Sequence, residues 1–341
     1  MKLFKNIYYS VSSLFPTGLL QKITPSSTLF PYHHLVSDED VLHIKHLYSY
    51  KNVKQFTADL DFLLKHTKPV SVDDLVAAVK AGNKLPKNSF LLSFDDGFSE
   101  VYSIIAPILL KKGVPSVFFI NPAFVDNKEL FYRCKISLLI EQVLKSDQEK
   151  FNWGHLSAAC NKPIANKEQL IQFIKSVTNL NKEKLDAIAD QLQFSFTGYL
   201  KKVQPFLTTS QIENLSNQGF SIGAHSWDHP YYRLISHEEK LSQTISSGNF
   251  ISEIFQQQYK LFSFPHSDAP LSQTFLDCLI ETWQPDLLFG IQNQKYELNN
   301  RMLHRFNAER PELSMEKQLN GILLFTLLQQ IAGKNKVLRT F

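Results

Sequence analysis

The chain has 341 residues, of which 43% are hydrophobic and 12% aromatic, and this composition excludes wholesale disorder and favours a large buried core. The formal net charge is only +4, and no stretch interleaves dense Lys and Arg with aromatic residues, so we expect no nucleic-acid partner. Three cysteines without metal-ligand spacing argue against a disulfide framework and against a cysteine zinc site.

Residues 1–26 are expected to form an N-terminal extension. Three lysines and no acidic residue occur between residues 1 and 23, and Pro16 and Gly18 interrupt the uncharged stretch. The segment is too short and too broken to span a bilayer, and it lacks the compact apolar core and the cleavage site of a signal peptide. We therefore expect a packed or frayed extension of a cytoplasmic protein, with weak attachment to an anionic lipid surface as the alternative.

From residue 27 onward, predicted strands alternate with predicted helices. A first strand covers residues 27–34, and apolar spacing between residues 56 and 64 predicts a helix. A second helix begins at Ser71, which has capping-box spacing with Asp74. A buried strand, a helix and another strand then follow between residues 89 and 120, and this order implies a right-handed crossover between parallel strands.

The second half of the chain first loses and then regains the strand pattern. Between about residues 128 and 208 helical patterns take over, which predicts a helical insertion. Strands resume at residues 220–224, and apolar segments at 261–264, 287–290 and 302–306 complete a set of seven. The sequence thus predicts an α/β barrel over residues 27–341, whose active site would lie in the loops after the carboxyl ends of the strands.

Two motifs at predicted strand ends carry the chemistry. Asp95 and Asp96 are adjacent carboxylates that can serve different roles around one site, and two like charges this close call for a nearby cation. His225 and His229 follow another strand, and on a helical turn their spacing would place both imidazoles on one face. Two imidazoles and one carboxylate would form a three-ligand metal site that leaves a position for water, as in hydrolytic zinc centres.

These motifs resemble the polysaccharide deacetylases that share the rhizobial chitooligosaccharide deacetylase domain. The resemblance rests on residues 93–97, Ser-Phe-Asp-Asp-Gly, on residues 225–229, His-Ser-Trp-Asp-His, and on their order. Residues 31–34, Pro-Tyr-His-His, resemble the opening strand of the bacterial exopolysaccharide branch. The resemblance extends from about residue 28 to residue 306 without the insertion. It implies a distorted (β/α)7 barrel, an N-acetylated saccharide substrate and a divalent metal, foremost Zn²⁺ with Co²⁺ or Ni²⁺ as alternatives.

The resemblance also implies roles for individual residues. Asp95 would be the general base, and Asp96 would bind the metal together with His225 and His229. A metal-bound water would be the nucleophile, which agrees with the chemistry of such centres. The oxyanion would be held by the metal and by the backbone N–H of His266, which stands where the family has a Pro-Tyr turn, because a backbone donor survives a change of side chain.

The family's arginine that orients the base is absent from residues 261–264, Leu-Phe-Ser-Phe. In the last strand, His304 and Arg305 point to opposite sides, so only one of them can enter the barrel. The exopolysaccharide branch tends to place an arginine here, and we therefore predict Arg305 as the inward partner of Asp95. The general acid stays open among His304, His266 and His33.

We accordingly predict a metal-dependent hydrolase that removes N-acetyl groups from an amino-sugar-containing glycan or glycan precursor. One alternative is a catalytically impaired saccharide-binding or scaffold protein on the same fold. The absent arginine keeps it open, and so do residues 302–304, Met-Leu-His, which match the family's last leucine-histidine motif only imperfectly. Another is an amidohydrolase that uses the same metal site on a non-sugar amide. Trp227 would either stack on a substrate sugar ring or pack over the metal loop.

Overall fold

The computed structural model describes residues 11–12, 14–24 and 28–340. The strands in chain order are β1 (Pro31–His33), β2 (Lys68–Pro69), β3 (Ser89–Phe90), β4 (Leu92–Phe94), β5 (Ser116–Ile120), β6 (Ser221–Ala224), β7 (Leu261–Ser263), β8 (Leu287–Gly290), β9 (Met302–His304) and β10 (Phe306–Asn307). Eight of them form one parallel sheet in the order β10-β1-β4-β5-β6-β7-β8-β9, while β2 pairs only with β3. The parallel pairing confirms the crossover topology predicted from the sequence.

A single segment nearly closes the barrel. β9 pairs with β8, with Gly290 opposite His304, and β10 pairs with β1, with Pro31 opposite Phe306. Arg305 is the one residue between β9 and β10, so residues 302–307 act as one interrupted strand that joins the two edges of the sheet. The prediction of a distorted (β/α)7 barrel built from seven strand segments is therefore confirmed.

Helices surround the barrel. Their bounds are Thr17–Ile23, Val53–His66, Val72–Lys80, Ala106–Lys112, Tyr132–Lys145, Trp153–Cys160, Lys167–Ser176, Glu183–Gln191, Phe196–Val203, Thr209–Asn217, His237–Ile254, Gln273–Trp283 and Met315–Ile331. The predicted capping box is present, because the Ser71 hydroxyl accepts a hydrogen bond from the backbone of Asp74 and the Asp74 carboxylate accepts one from the backbone of Ser71. Local sequence therefore sets where this helix begins.

The predicted insertion between β5 and β6 is helical, with a core of its own. Leu139, Leu170 and Ile188 are fully buried in it. The rings of Phe98 and Phe206 stack at 5.6 Å and join this core to the loop that follows the Asp95-Asp96 motif. The helices of the insertion are thus packed beside the carboxyl ends of the barrel strands, at the end where an active site would lie.

The described part of the N-terminal extension packs on the last helix. Leu20, on the helix Thr17–Ile23, is 1% exposed, and Thr24 donates a hydrogen bond to the carbonyl of Leu323. Residues 1–10, and the start of the predicted first strand at Ser27, lie outside the described residues. Among the residues that the structure describes, no helix is both long and apolar enough to cross a membrane. The predicted compartment stays a prediction.

Aromatic side chains fill the barrel interior below the carboxyl ends of the strands. The ring of Phe289 lies 5.2 Å from that of Phe119 and 6.3 Å from that of Phe30. Gly223 on β6 makes room for Phe119, because a Cβ atom at this glycine would lie 2.6 Å from the Phe119 ring. These packed rings exclude water from the barrel interior. Solvent therefore screens the charged groups at the carboxyl ends of the strands only weakly.

Candidate active site

The carboxyl ends of the barrel strands surround a cavity. Asp95 and Asp96, which follow β4, line it together with His225 and His229, which follow β6. The structure thus brings together the two motifs that the sequence singled out, although they lie about 130 residues apart in the chain. All four side chains are at least nine-tenths buried.

The backbone around the cavity is held in the left-handed region at several non-glycine residues. The φ angles are +72° at Asp96, +66° at Ser226, +61° at His229 and +57° at His266. Such conformations cost free energy and collect at functional sites, where the surrounding structure enforces them. The expected helical turn across residues 225–229 is wrong: the two histidines meet in an irregular loop bent by these left-handed residues.

Three donor atoms in the cavity fit a divalent metal. The Oδ1 atom of Asp96 lies 3.5 Å from Nε2 of His225 and 3.2 Å from Nε2 of His229, and it has no hydrogen-bond partner within the described part of the chain. A tetrahedral ion that holds each donor at about 2.0–2.2 Å places neighbouring donors roughly 3.3–3.6 Å apart. The observed spacing, the chemistry of the donors and the orphaned oxygen all suit such an ion.

Hydrogen bonds to the other ring nitrogens orient both histidines. Nδ1 of His225 lies 2.8 Å from the carbonyl oxygen of Ser263, to which it donates, so Nε2 keeps a lone pair for a metal. Burial lowers the pKa of His225 to about 4, which keeps the ring neutral. Nδ1 of His229 lies 3.1 Å from Nε2 of His266. If Nε2 of His229 binds a metal, its Nδ1–H donates to His266.

Asp95 is held by a guanidinium inside the barrel. Nη1 and Nη2 of Arg305 donate to the two carboxylate oxygens at 2.7 and 2.8 Å, and the same guanidinium also donates to the hydroxyls of Ser93 and Ser263. The structure therefore places Arg305 inward against Asp95, as the resemblance to the exopolysaccharide branch implied. Burial raises the pKa of Asp95, but Arg305 and then His225 outweigh it, so the pKa lies below its usual range and the group is a carboxylate.

His34 brings a second charged pair into the cavity. Its Nδ1 lies 2.8 Å from a carboxylate oxygen of Glu309, which also accepts hydrogen bonds from the backbone N–H groups of His34 and Leu35. Burial lowers the pKa of His34, but the Glu309 charge outweighs this effect and raises the pKa to about 9. His34 is therefore an imidazolium at neutral pH, with its ring 21% exposed to the cavity.

Two of the three candidate acids, His33 and His266, are not placed or protonated as a general acid requires. His33 is packed between Phe56 and Phe94, and neither of its ring nitrogens has a hydrogen-bond partner among the described residues. Burial holds its pKa well below the usual value, so its ring is neutral rather than an imidazolium at neutral pH. The second, His266, lines the cavity, but burial and then His229 lower its pKa strongly.

His304 lies in a separate buried cluster, away from the cavity. Its ring is 3.4 Å from Glu297 and 3.7 Å from Asp268, in a group whose composition would suit a metal. Arg339 already supplies the cation there, because its Nη2 lies 2.9 Å from Asp268 and 2.5 Å from Glu297. The alternation that turns Arg305 inward turns His304 outward, so the expectation that His304 acts at the site is corrected.

Trp227 also lies outside the cavity. Its side chain is 39% exposed, and its ring packs edge-on against Phe250 at 5.7 Å. The backbone N–H of Trp227 donates to Gln243, which ties the metal-ligand loop to the helix His237–Ile254. Of the two interpretations of Trp227, the structure favours packing beside the loop over stacking on a sugar in this cavity.

Solved structures share this fold at low sequence identity. The Streptococcus pyogenes deacetylase PplD in complex with acetate aligns with a TM-score of 0.56 and 13% identity, over 88% of this chain and 99% of that chain. IcaB from Ammonifex degensii aligns with a TM-score of 0.51 and 15% identity, over 87% of this chain and 96% of that chain. A de-N-acetylase from Aggregatibacter actinomycetemcomitans aligns with a TM-score of 0.51 and 14% identity, over 86% of this chain and 99% of that chain. These likenesses establish the fold alone.

A comparison of the sequence with family models gives a match over part of the chain. No curated protein matches the sequence, but the family model for polysaccharide deacetylase matches residues 165–277, which is less than half of the chain. Over that span the chain is similar to polysaccharide deacetylases. The matched span includes His225, His229 and His266 but not the two aspartates, which the fold brings to the same cavity.

Sequence reasoning about this site missed the pairing of His34 with Glu309. Glu309 lies 275 residues from His34 in the chain, and no local pattern links the two residues. A signal was available: Glu309 follows the last strand by two residues, and in a closed barrel the last strand pairs with the first. The carboxyl ends of β10 and β1 must then be neighbours.

Proposed function

We propose that this protein is a polysaccharide deacetylase that removes N-acetyl groups from an amino-sugar-containing glycan or glycan precursor, in a reaction that depends on a divalent metal. One observation carries the proposal. A single cavity holds a three-donor metal group, a carboxylate fixed by a guanidinium, and an imidazolium fixed by a carboxylate. Amide hydrolysis needs a base, an acid and a means of stabilising negative charge on oxygen, and these groups supply them.

Asp96, His225 and His229 are the residues that would hold the cation. When bound, a divalent cation lowers the pKa of water in the site and polarises the amide carbonyl. Two neutral imidazoles and a carboxylate suit Zn²⁺, and Co²⁺ and Ni²⁺ accept the same donors. Burial raises the pKa of Asp96, but the nearby His229 lowers it by more, so the pKa lies below its usual range. Asp96 therefore offers a charged oxygen at neutral pH.

Asp95 is the proposed general base. Its bidentate contact with Arg305 fixes the plane of the carboxylate, and its Oδ2 atom lies 3.8 Å from Nε2 of His225, beside the metal group. The carboxylate is ionised at neutral pH and can accept a proton from the attacking water. A base positioned in this way contributes about 10²–10⁴-fold to the rate.

His34 is the proposed general acid. It is protonated at neutral pH, faces the same cavity and is oriented by Glu309, so it can give a proton to the leaving amine. The backbone N–H of His266 is the proposed donor to the oxyanion that forms on the substrate carbonyl. In this assignment His34 replaces the three acids that the sequence had left open.

Two missing groups, the orienting arginine and the general acid of the last strand motif, favoured a catalytically impaired protein. Other residues take both roles. Arg305 occupies the orienting position that residues 261–264 lack, and His34 with Glu309 supplies an acid that does not depend on the last strand motif. Both observations favour the enzyme over a binding or scaffold protein.

The test is acetate release from N-acetylglucosamine oligomers by protein purified without chelator. We expect release to stop after chelation and to return with Zn²⁺, and the Asp95→Asn variant to bind Zn²⁺ without turnover. Asp61→Asn, which changes an exposed carboxylate on the helix Val53–His66, is the matched control and should keep its activity. Unchanged Zn²⁺ binding in both His225→Ala and Asp96→Asn, or full turnover by Asp95→Asn, would overturn the proposal.

A further inference from the structure

A second cavity adjoins the active-site cavity. Leu47 and Arg133 line both cavities. Tyr231 also lines the second cavity, and its ring stacks on His266 of the active-site cavity, with ring centres 3.6 Å apart and planes 10° apart. The two cavities therefore share a wall, and a saccharide whose acetamide reaches the metal group would lie beside the second cavity.

Three cations surround the second cavity. Arg133 and Arg233 lie on the wall formed with Tyr231, and Lys175 comes from the helix Lys167–Ser176 of the insertion. Arg133 donates to the Tyr231 hydroxyl at 2.7 Å, and the Arg233 guanidinium lies 5.4 Å from the centre of the Tyr231 ring. No carboxylate pairs with any of the three within the part of the chain that the structure describes.

The remaining polar groups of the second cavity leave its charge positive. His46 lines it and lies 2.7 Å from Glu141, but the same carboxylate also pairs with Lys145 at 2.9 Å. An anion entering here would therefore meet unpaired positive charge.

We propose that this second cavity binds a phosphate group of the substrate, so that the deacetylase acts on N-acetylated saccharides that carry a phosphate ester or diphosphate. The proposal rests on the proposed deacetylation and names its substrate class. Arginine and lysine donors match the several acceptor oxygens of a phosphate. The insertion, which supplies Lys175, then has a role in substrate selection.

The experiment compares three probes in the zinc-loaded protein: methyl N-acetylglucosaminide, N-acetylglucosamine 1-phosphate and UDP-N-acetylglucosamine. The first is neutral, the second carries a phosphate monoester and the third a diphosphate. One charge-assisted contact changes binding by about tenfold or more. We expect a KM about tenfold lower for at least one phosphorylated probe with a similar kcat, because the contact is made equally in the ground and transition states.

Arg233→Ala and Lys175→Ala are the test variants, since both side chains are exposed. They should raise KM for the phosphorylated probe toward that of the neutral one and leave kcat unchanged. Lys202→Ala, on another exposed helix face of the insertion, is the matched control and should change neither constant. Equal KM values for phosphorylated and neutral probes, with acetate released from both, would overturn the phosphate site alone.

A binding measurement separates this inference from the proposed reaction. In the Asp95→Asn background, which removes the base, calorimetry measures binding of N-acetylglucosamine 1-phosphate without turnover. Binding that weakens about tenfold with Arg233→Ala supports the phosphate site even if no probe releases acetate, an outcome that would defeat only the deacetylation. Binding that is unchanged by both Arg233→Ala and Lys175→Ala defeats the phosphate site whatever the activity.

Discussion

Arg305 donates two parallel hydrogen bonds to the carboxylate of Asp95, at 2.7 and 2.8 Å, from the single residue that separates β9 from β10. Both side chains are almost fully buried, so neither charge has water as an alternative partner. The segment that closes the barrel therefore also orients the proposed base. Breaking such a pair leaves a buried charge uncompensated, whereas a bidentate guanidinium fixes geometry that a lysine cannot.

The first prediction concerns removal of this guanidinium. Arg305→Met should reduce the free energy of unfolding by about 3–5 kcal/mol, because Asp95 would stay buried and unpaired. It should also reduce kcat by about 10²–10⁴-fold as the base loses its orientation. Denaturant unfolding and acetate release measure the two effects.

Arg305→Lys is the matched control for charge. It keeps a cation near Asp95 but loses the two parallel bonds, so we expect most of the stability to return and kcat to stay low. A kcat equal to that of the native protein in Arg305→Met would contradict the positioning role of Arg305.

The part of the site that the sequence predicted depends on local rules. Strand alternation allowed only one of His304 and Arg305 to face inward, the resemblance to the exopolysaccharide branch selected Arg305, and strand ends selected the two aspartates and the two histidines. The position of each of these residues follows from its own strand, and the order of strands in a barrel is constrained by chain connectivity. That is why residues from distant segments could be assigned to one cavity.

The rest of the site depends on contacts that no local pattern encodes. The pairing of His34 with Glu309 requires the first and last strands to meet, and the loop at residues 225–229 depends on left-handed residues such as Ser226 and His229 that have no sequence signature here. The phosphate-binding cavity requires the packing of the insertion on the barrel. Each of these features arises only after the barrel has closed.

The second prediction concerns the pH dependence of the reaction. Burial lowers the pKa of His34 and Glu309 more than offsets it, giving a value of about 9. The protonated acid is present below that value and is lost as the pH rises through it, so kcat/KM should fall on the alkaline side, at or below about pH 9. Glu309→Gln removes the charge that raises the pKa and should move this limb to lower pH.

The pH profile has a matched control elsewhere in the chain. Glu141 forms a similar pair with His46 at 2.7 Å, but outside the active-site cavity. Glu141→Gln should leave the alkaline limb of kcat/KM in place. A limb that moves equally in Glu141→Gln and Glu309→Gln, or in neither, would contradict His34 as the general acid.

The third prediction concerns the contact between His229 and His266. Partners that accept a hydrogen bond from a ligand histidine change metal affinity by about 10–100-fold when they are removed. His266→Gly deletes the ring without penalty at φ +57°, and it should weaken Zn²⁺ binding by that amount in calorimetric titration. His266→Asn, which tolerates the same backbone conformation and can accept a hydrogen bond, should restore part of the affinity. Equal Zn²⁺ affinity in all three proteins would show that His266 does not orient His229.

The fourth prediction separates the two histidines that compete for the role of acid. His304 lies in the buried cluster with Glu297 and Arg339, whereas His34 faces the cavity. His304→Gln should lower the free energy of unfolding by about 1–3 kcal/mol through lost buried hydrogen bonds and keep kcat within about twofold. His34→Gln should lower kcat by about 10²–10⁴-fold.

Because His34 is partly exposed, its substitution should cost less stability than that of His304. Measuring kcat and the denaturation midpoint for both variants decides between them. A large loss of kcat in His304→Gln with native kcat in His34→Gln would return the role of general acid to His304, one of the three candidates that the sequence left open.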